Sequence, residues 1–185
     1  MPMPEIVIGT AMPRSGTTSL SVLLHECRGA EVYHEEAFLP FNAKAVHFRR
    51  QIERLKRDYH GRYVGDVSWM WLPYLHMLQS ETDAHIVGLV REKEPLIESC
   101  VETQPDERFG QYQYSWPTLD VDSIGPEEAW SRYYDYAMER FETLGIPTFR
   151  TRNLSDQDTQ EQILDAAGIA EEDRQYHPNL RYNAR

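Results

Sequence analysis

Two cysteines among 185 residues, Cys27 and Cys100, are too few for a disulfide framework. Their positions beside predicted helices read as small buried hydrophobes, acceptable in a reducing compartment. No stretch approaches the roughly 18 consecutive apolar residues of a membrane span. The first apolar strand begins at Ile6, so no signal peptide is expected before it. Positive charge is scarce, with 19 Lys and Arg against 30 Asp and Glu and a formal net charge of −11. Nonspecific nucleic-acid binding needs a basic surface that displaces counterions, and this balance argues against it. An anionic ligand has to be held by a local positive site within a negative protein. There is no internal repeat and no low-complexity tract.

What is present is alternation. Strand candidates run Ile6 to Gly9, Ala30 to Tyr33, Tyr63 to Asp66, Ile86 to Val90 and Thr148 to Arg152. Between them, Ala45, Phe48, Ile52, Leu55 and Tyr59 form an apolar stripe on a helix from about Asn42 to Tyr59. Glu94 to Val101 reads as a helix with Pro95 in its first turn. A longer helix begins near Pro126, buries Trp130, Tyr133, Tyr134, Ala137, Met138 and Phe141, and stops at Gly145. Strands alternating with helices call for a parallel sheet covered on both faces, with ligands at the carboxyl ends of its strands. The length suits one such domain, residues 1–185. Gln104 to Gly125 lacks periodicity but carries Phe109, Tyr112, Tyr114 and Trp116, and reads either as a lid over an acceptor pocket or as a structural loop.

The run Ile6-Val7-Ile8-Gly9-Thr10-Ala11-Met12-Pro13-Arg14-Ser15-Gly16-Thr17-Thr18-Ser19-Leu20 passes from strand through a turn into a helix start. Backbone N–H groups without intrahelical partners then point at any anion placed there, and the helix dipole favours it. A nucleoside-triphosphate loop carries Lys directly after its last Gly. Here Thr17 stands in that place, and the one cation of the loop is Arg14. A second segment, His85-Ile86-Val87-Gly88-Leu89-Val90-Arg91, ends an apolar strand in a guanidinium suited to phosphate, and Ser99 follows eight residues on.

Pro13 to Leu20 resembles the 5′-phosphosulfate loop of the sulfotransferases, and Arg91 with Ser99 resembles the 3′-phosphate motif of that family. Tyr63 to Leu75 and Gly145 to Gly168 are similar, more loosely, to later segments of the carbohydrate-type enzymes, which the chain resembles more than the cytosolic aryl and steroid type. The resemblance implies an α/β, three-layer P-loop fold with a five-stranded parallel sheet in the order 2-3-1-4-5 and helices on both faces. It also implies 3′-phosphoadenosine 5′-phosphosulfate as sulfonate donor and adenosine 3′,5′-bisphosphate as product, with no metal required. Cofactor contacts would come from Arg14, Ser15, Gly16, Thr17, Thr18, Ser19, Arg91 and Ser99. Golgi members carry a membrane anchor, and the lack of one here leads us to expect the cytoplasm.

In-line transfer to an acceptor hydroxyl or amine, on a small molecule or carbohydrate, puts charge on the leaving oxygen, at which Arg14 would be aimed. The acceptor proton needs a base. Glu36, followed by an aromatic-rich stretch, matches the family's carboxylate after the second strand, with Glu35 beside it and Asp66 in reserve. Many relatives place a Lys after that acidic residue, where this chain has Val67. His34 with Glu35 and Glu36 makes a poor metal site, because consecutive residues do not share a strand face. The basic run Lys44, Arg49, Arg50, Arg54, Lys56 and Arg57 is either a grip for an acidic sugar or a solvated face. Two other functions stand beside this one: a P-loop small-molecule kinase, with Asp66 on the magnesium side, and a noncatalytic nucleotide-binding protein.

Overall fold

The computed structural model describes residues 3–37, 39, 44–103, 124–178 and 180. Five strands, β1 (Glu5–Ala11), β2 (Ala30–His34), β3 (Tyr63–Val67), β4 (His85–Val90) and β5 (Thr148–Arg150), make one all-parallel sheet in the order β2-β3-β1-β4-β5. The helices are α1 (Thr17–His25), α2 (Ala45–Asp58), α3 (Leu75–Glu81), α4 (Lys93–Thr103), α5 (Pro126–Leu144) and α6 (Gln157–Ala166). The expected α/β architecture and strand order are both present.

Strand order and handedness together decide which face each helix covers. The step from β1 to β2 runs one way along the sheet, and the steps β2 to β3, β3 to β4 and β4 to β5 run the other. Right-handed crossovers then put α1 on one face and α2, α3, α4 and α5 on the opposite face. The two apolar layers follow this division. Ile6 and Ile8 of β1 pack with Phe48, Leu75, Leu96 and Tyr133, whereas Val7 packs with Leu20, Leu23, Ile163 and Leu164 of α1 and α6. Alternate residues of one strand thus feed both layers, as a central parallel strand requires.

Several element bounds differ from expectation. α2 starts at Ala45, and Asn42 lies outside the described residues. β5 stops at Arg150 and not at Arg152, because Thr151–Asn153 turns into a 3-10 helix whose Thr151 hydroxyl bonds back to the turn after β1. The proposed lid, Gln104 to Gly125, lies outside the described residues except for Ile124 and Gly125. The long helix ends as read, with Gly145 in the left-handed conformation at φ 61°. Among the described residues no helix is long and apolar enough to cross a membrane.

At the amino edge of the sheet, Asp173 ties the end of the chain to the strands. Its carboxylate accepts from Arg28 Nε and Arg62 Nη1, each at 2.8 Å, and from the Tyr63 hydroxyl at 3.1 Å. The Arg28 hydrogen bond is the main reason its carboxyl sits below the usual range. The candidate site lies at the opposite edge.

Glycine supplies the close approach of β3 to β1. A Cβ at Gly65 would lie 1.8 Å from the Val7 carbonyl oxygen, whereas one at Gly125 meets nothing within 4 Å. Gly65→Ala is expected to cost about 3 kcal/mol or more, since backbone cannot yield as a side chain does. Gly125→Ala should change stability by less than about 1 kcal/mol. Denaturant melts of both variants check this pair, and a Gly65→Ala protein as stable as the parent would contradict the strand packing.

Candidate functional site

The turn from β1 into α1 is fixed by its carbonyls. Met12 O accepts the Ser15 N–H at 3.2 Å, Pro13 O accepts the Cys100 thiol at 3.6 Å, Arg14 O accepts Arg91 Nη1 at 3.0 Å, and Ser15 O accepts the Thr151 hydroxyl at 2.6 Å. Burial pushes the Cys100 thiol up to about 12, so it keeps the proton it donates. With these oxygens held by their partners, the turn has a settled orientation. Arg14 at φ 67° and Gly16 at φ 88° take left-handed conformations. Only glycine suits position 16, because a Cβ there would also stand 2.8 Å from Thr151 Cγ2.

α1 begins with no side-chain cap. Its first backbone bond runs from Leu20 N–H to Gly16 O at 3.0 Å, so the N–H groups of Thr17, Thr18 and Ser19 have no carbonyl one turn back. A backbone of alternating handedness that ends in free N–H groups forms a concavity for anions. Ser15, Thr17 and Ser19 are buried, Thr18 is half-buried and Arg14 is exposed.

The second anion motif meets the first. Arg91 follows β4, and its main-chain oxygen accepts the Tyr134 hydroxyl of α5 at 3.0 Å. Its guanidinium reaches the Arg14 carbonyl, and Arg14 Nε donates to Ser99 Oγ of α4 at 3.3 Å. Arg14, Arg91 and Ser99 therefore form one group on the α4 side of the turn. The sequence reading aims Arg14 at the leaving oxygen near the helix start, while this contact turns its guanidinium toward Ser99.

On the other side of the turn lies the end of β2. His34 follows Val32 at the strand period and so shares the face covered by α1. Its Nε2 is 2.9 Å from Thr17 Oγ1 and 3.5 Å from Thr18 Oγ1. Glu35 Oε1 lies 3.9 Å from the same nitrogen. Because hydroxyl and carboxylate approach one nitrogen, the trio is not a nucleophile relay, which uses both ring nitrogens. Glu35 stands at φ 57°, and its N–H is bonded to Val67 O at 3.1 Å. Among the described residues Arg14 and Glu35 are the two non-glycine positions with positive φ, and both border this site.

Glu36 and Asp66 have other partners. Glu36 Oε2 lies 3.4 Å from Arg54 Nη2, and its carbonyl accepts Arg54 Nη1 at 3.1 Å. Asp66 is fully buried, with Oδ1 accepting the Glu36 N–H at 2.8 Å and Oδ2 accepting Trp71 Nε1 at 2.7 Å. Burial raises its carboxyl to about 6 against the lowering effect of these donors. It thus fastens the turn carrying Glu35 and Glu36 to the end of β3. In the basic run of α2, Arg49 is paired with Glu81, and Arg54 and Arg57 with Asp58. Among the described residues no group of three or more His, Cys, Asp or Glu is placed to hold a metal ion.

Sequence reasoning missed the part played by His34, and also the Cys100 and Thr151 donors behind the turn. The alternation of Val32 and His34 was the available signal for the first. No sequence spacing marks the other two, which come from α4 and from beyond β5. No protein-family model matches the chain, and a search of curated proteins found no match.

Asp66 has a signature in stability. The folded chain holds its proton up to about pH 6, while the unfolded chain releases it near 4, so stability contributed by this group falls as pH rises through that window. Asp66→Asn should be less stable than the parent, because one N–H donor then faces an amide, and the deficit should shrink by about 2–3 kcal/mol between pH 4 and pH 6. Denaturant titrations of the two proteins across that range measure it. A constant deficit would contradict the assignment.

Proposed function

We propose that this chain is a sulfotransferase of the carbohydrate type, moving a sulfonate group from 3′-phosphoadenosine 5′-phosphosulfate to a hydroxyl or amine of a small-molecule or carbohydrate acceptor. One observation carries the reading. The uncapped start of α1, with its carbonyls held by Cys100, Arg91 and Thr151, lies beside a second anion group made by Arg14, Arg91 and Ser99. A ligand with phosphate at both ends of a ribose fits two such positions, whereas a nucleoside monophosphate fills one. The N–H groups of α1 would take the 5′ end, with Thr17 and Thr18 beside them, and Arg91 and Ser99 would take the 3′-phosphate.

In the reaction the acceptor oxygen or nitrogen bonds to sulfur as the sulfur–oxygen bond to the 5′-phosphate breaks, and the acceptor proton passes to a carboxylate. Glu35 fits that part better than Glu36, since it borders the imidazole that touches Thr17 while Glu36 is engaged with Arg54. The N–H groups of α1 would stabilise the charge on the leaving oxygen. Asp66 argues against the kinase alternative, because each of its oxygens is taken by an N–H donor in the core. A cytoplasmic setting agrees with two buried free cysteines. Nucleic acid and membrane are not expected partners of a chain this acidic.

Transfer from the phosphosulfate to a panel of hydroxyl and amine acceptors tests the reading. Glu35→Gln should lose on the order of a hundredfold in rate while binding the bisphosphate as the parent does, and Glu36→Gln should stay within about threefold. The reverse pattern would move the base to Glu36. Arg91→Ala should weaken adenosine 3′,5′-bisphosphate about tenfold or more and AMP by clearly less, the AMP loss reporting only the bond to the Arg14 carbonyl. Equal losses for both nucleotides would remove the 3′ assignment, and no transfer to any acceptor would favour a noncatalytic binding protein.

A further inference from the structure

The charges at the carboxyl edge of the sheet are unevenly placed. Arg14 and Arg91 both stand on the α4 side, linked through the Arg14 carbonyl and Ser99. On the β2 side the residue paired with His34 across the sheet is Val67, whose side chain is buried in the apolar layer against α1. The group that touches the α1 start there is His34, with Glu35 Oε1 3.9 Å from its Nε2. A donor whose 5′-phosphate sits on the α1 N–H groups must direct its sulfur away from Arg91 and toward the proposed base, Glu35. His34 lies between Thr17 and Glu35, its Nε2 2.9 Å from Thr17 Oγ1 and 3.9 Å from Glu35 Oε1. Its Nε2 at 2.9 Å from Thr17 Oγ1 is already within hydrogen-bonding reach of one hydroxyl oxygen at the mouth of the turn.

We propose that His34 is a ligand of the transferred sulfonate, its Nε2–H donating to a sulfonate oxygen in place of its present contact with Thr17. The proposal rests on the sulfotransferase reading and extends it to the group that distinguishes the donor from the product. The imidazole N–H adds a donor on the side of the anion opposite Arg91. The imidazole thereby takes a position that the buried Val67 leaves without a donor.

The test compares two ligands that differ in the sulfonate. Calorimetry with chelator present measures 3′-phosphoadenosine 5′-phosphosulfate and adenosine 3′,5′-bisphosphate on the parent, His34→Ala, His34→Gln and His34→Lys, with thermal melts to verify folding. His34→Ala should bind the phosphosulfate about tenfold more weakly and the bisphosphate within about twofold of the parent. His34→Lys should recover most of that loss. His34→Gln keeps a partner for Thr17, so it separates support of the turn from sulfonate binding should the Ala variant fail to fold, and it should lose affinity for the phosphosulfate selectively. Equal weakening of the two ligands, or no weakening of either, overturns the role of His34 and leaves the sulfotransferase reading in place. A parent protein that binds neither ligand overturns both.

Discussion

The hydrogen bonds behind the turn from β1 to α1 hold the rest of the site in place. Cys100 of α4, Arg91 after β4 and Thr151 after β5 each donate to one of three successive carbonyls, Pro13, Arg14 and Ser15. A carbonyl held by a donor cannot turn freely, so these bonds set which way the peptide planes face. The N–H groups at the start of α1 are left without a side-chain cap. The clamp also explains why β5 is short, since Thr151 has to leave the sheet to reach Ser15. One small set of contacts thus links β1, β4, β5 and α4 to the geometry of a five-residue turn.

On the opposite side Asp66 does comparable work for the turn after β2. Its buried carboxylate holds the Glu36 N–H and the Trp71 indole, and the Glu35 N–H is bonded to Val67 O. These contacts keep Glu35 in a left-handed conformation that a non-glycine residue rarely adopts. Arg14 carries the same kind of strain across the site. Strained backbone persists where surrounding bonds over-determine it; Arg14 lies in the turn into α1, and Glu35 follows His34, whose imidazole touches Thr17. At the amino edge, by contrast, Asp173 binds Arg28, Arg62 and Tyr63.

Periodicity exposed most of the fold. The run Ile6-Val7-Ile8 feeds two apolar layers, which is how a central parallel strand looks in sequence, and Gly145 marked the end of α5 correctly. The end of β5 was illegible, since Thr151 and Arg152 fit a strand until the tertiary bond to Ser15 is known. At the site, the α1 turn, Arg91 and Ser99 could be found from residue type and spacing, and they do come together. The preference for Glu36 over Glu35 comes from the resemblance alone, because their surroundings depend on Arg54 of α2 and on His34. Asp66 reads from the sequence as a candidate base, and only packing reveals that both its oxygens serve neighbouring N–H groups.

The central claim is that two anion positions, one at the α1 start and one at Arg91 and Ser99, act on a single nucleotide. Calorimetric titration of the parent protein in the presence of chelator measures this directly, with adenosine 3′,5′-bisphosphate in one arm and AMP in the other. The account predicts that the bisphosphate binds at least about tenfold more tightly, the worth of one charge-assisted phosphate contact. Equal affinities would contradict it, as would an ATP complex that forms more tightly once magnesium is supplied.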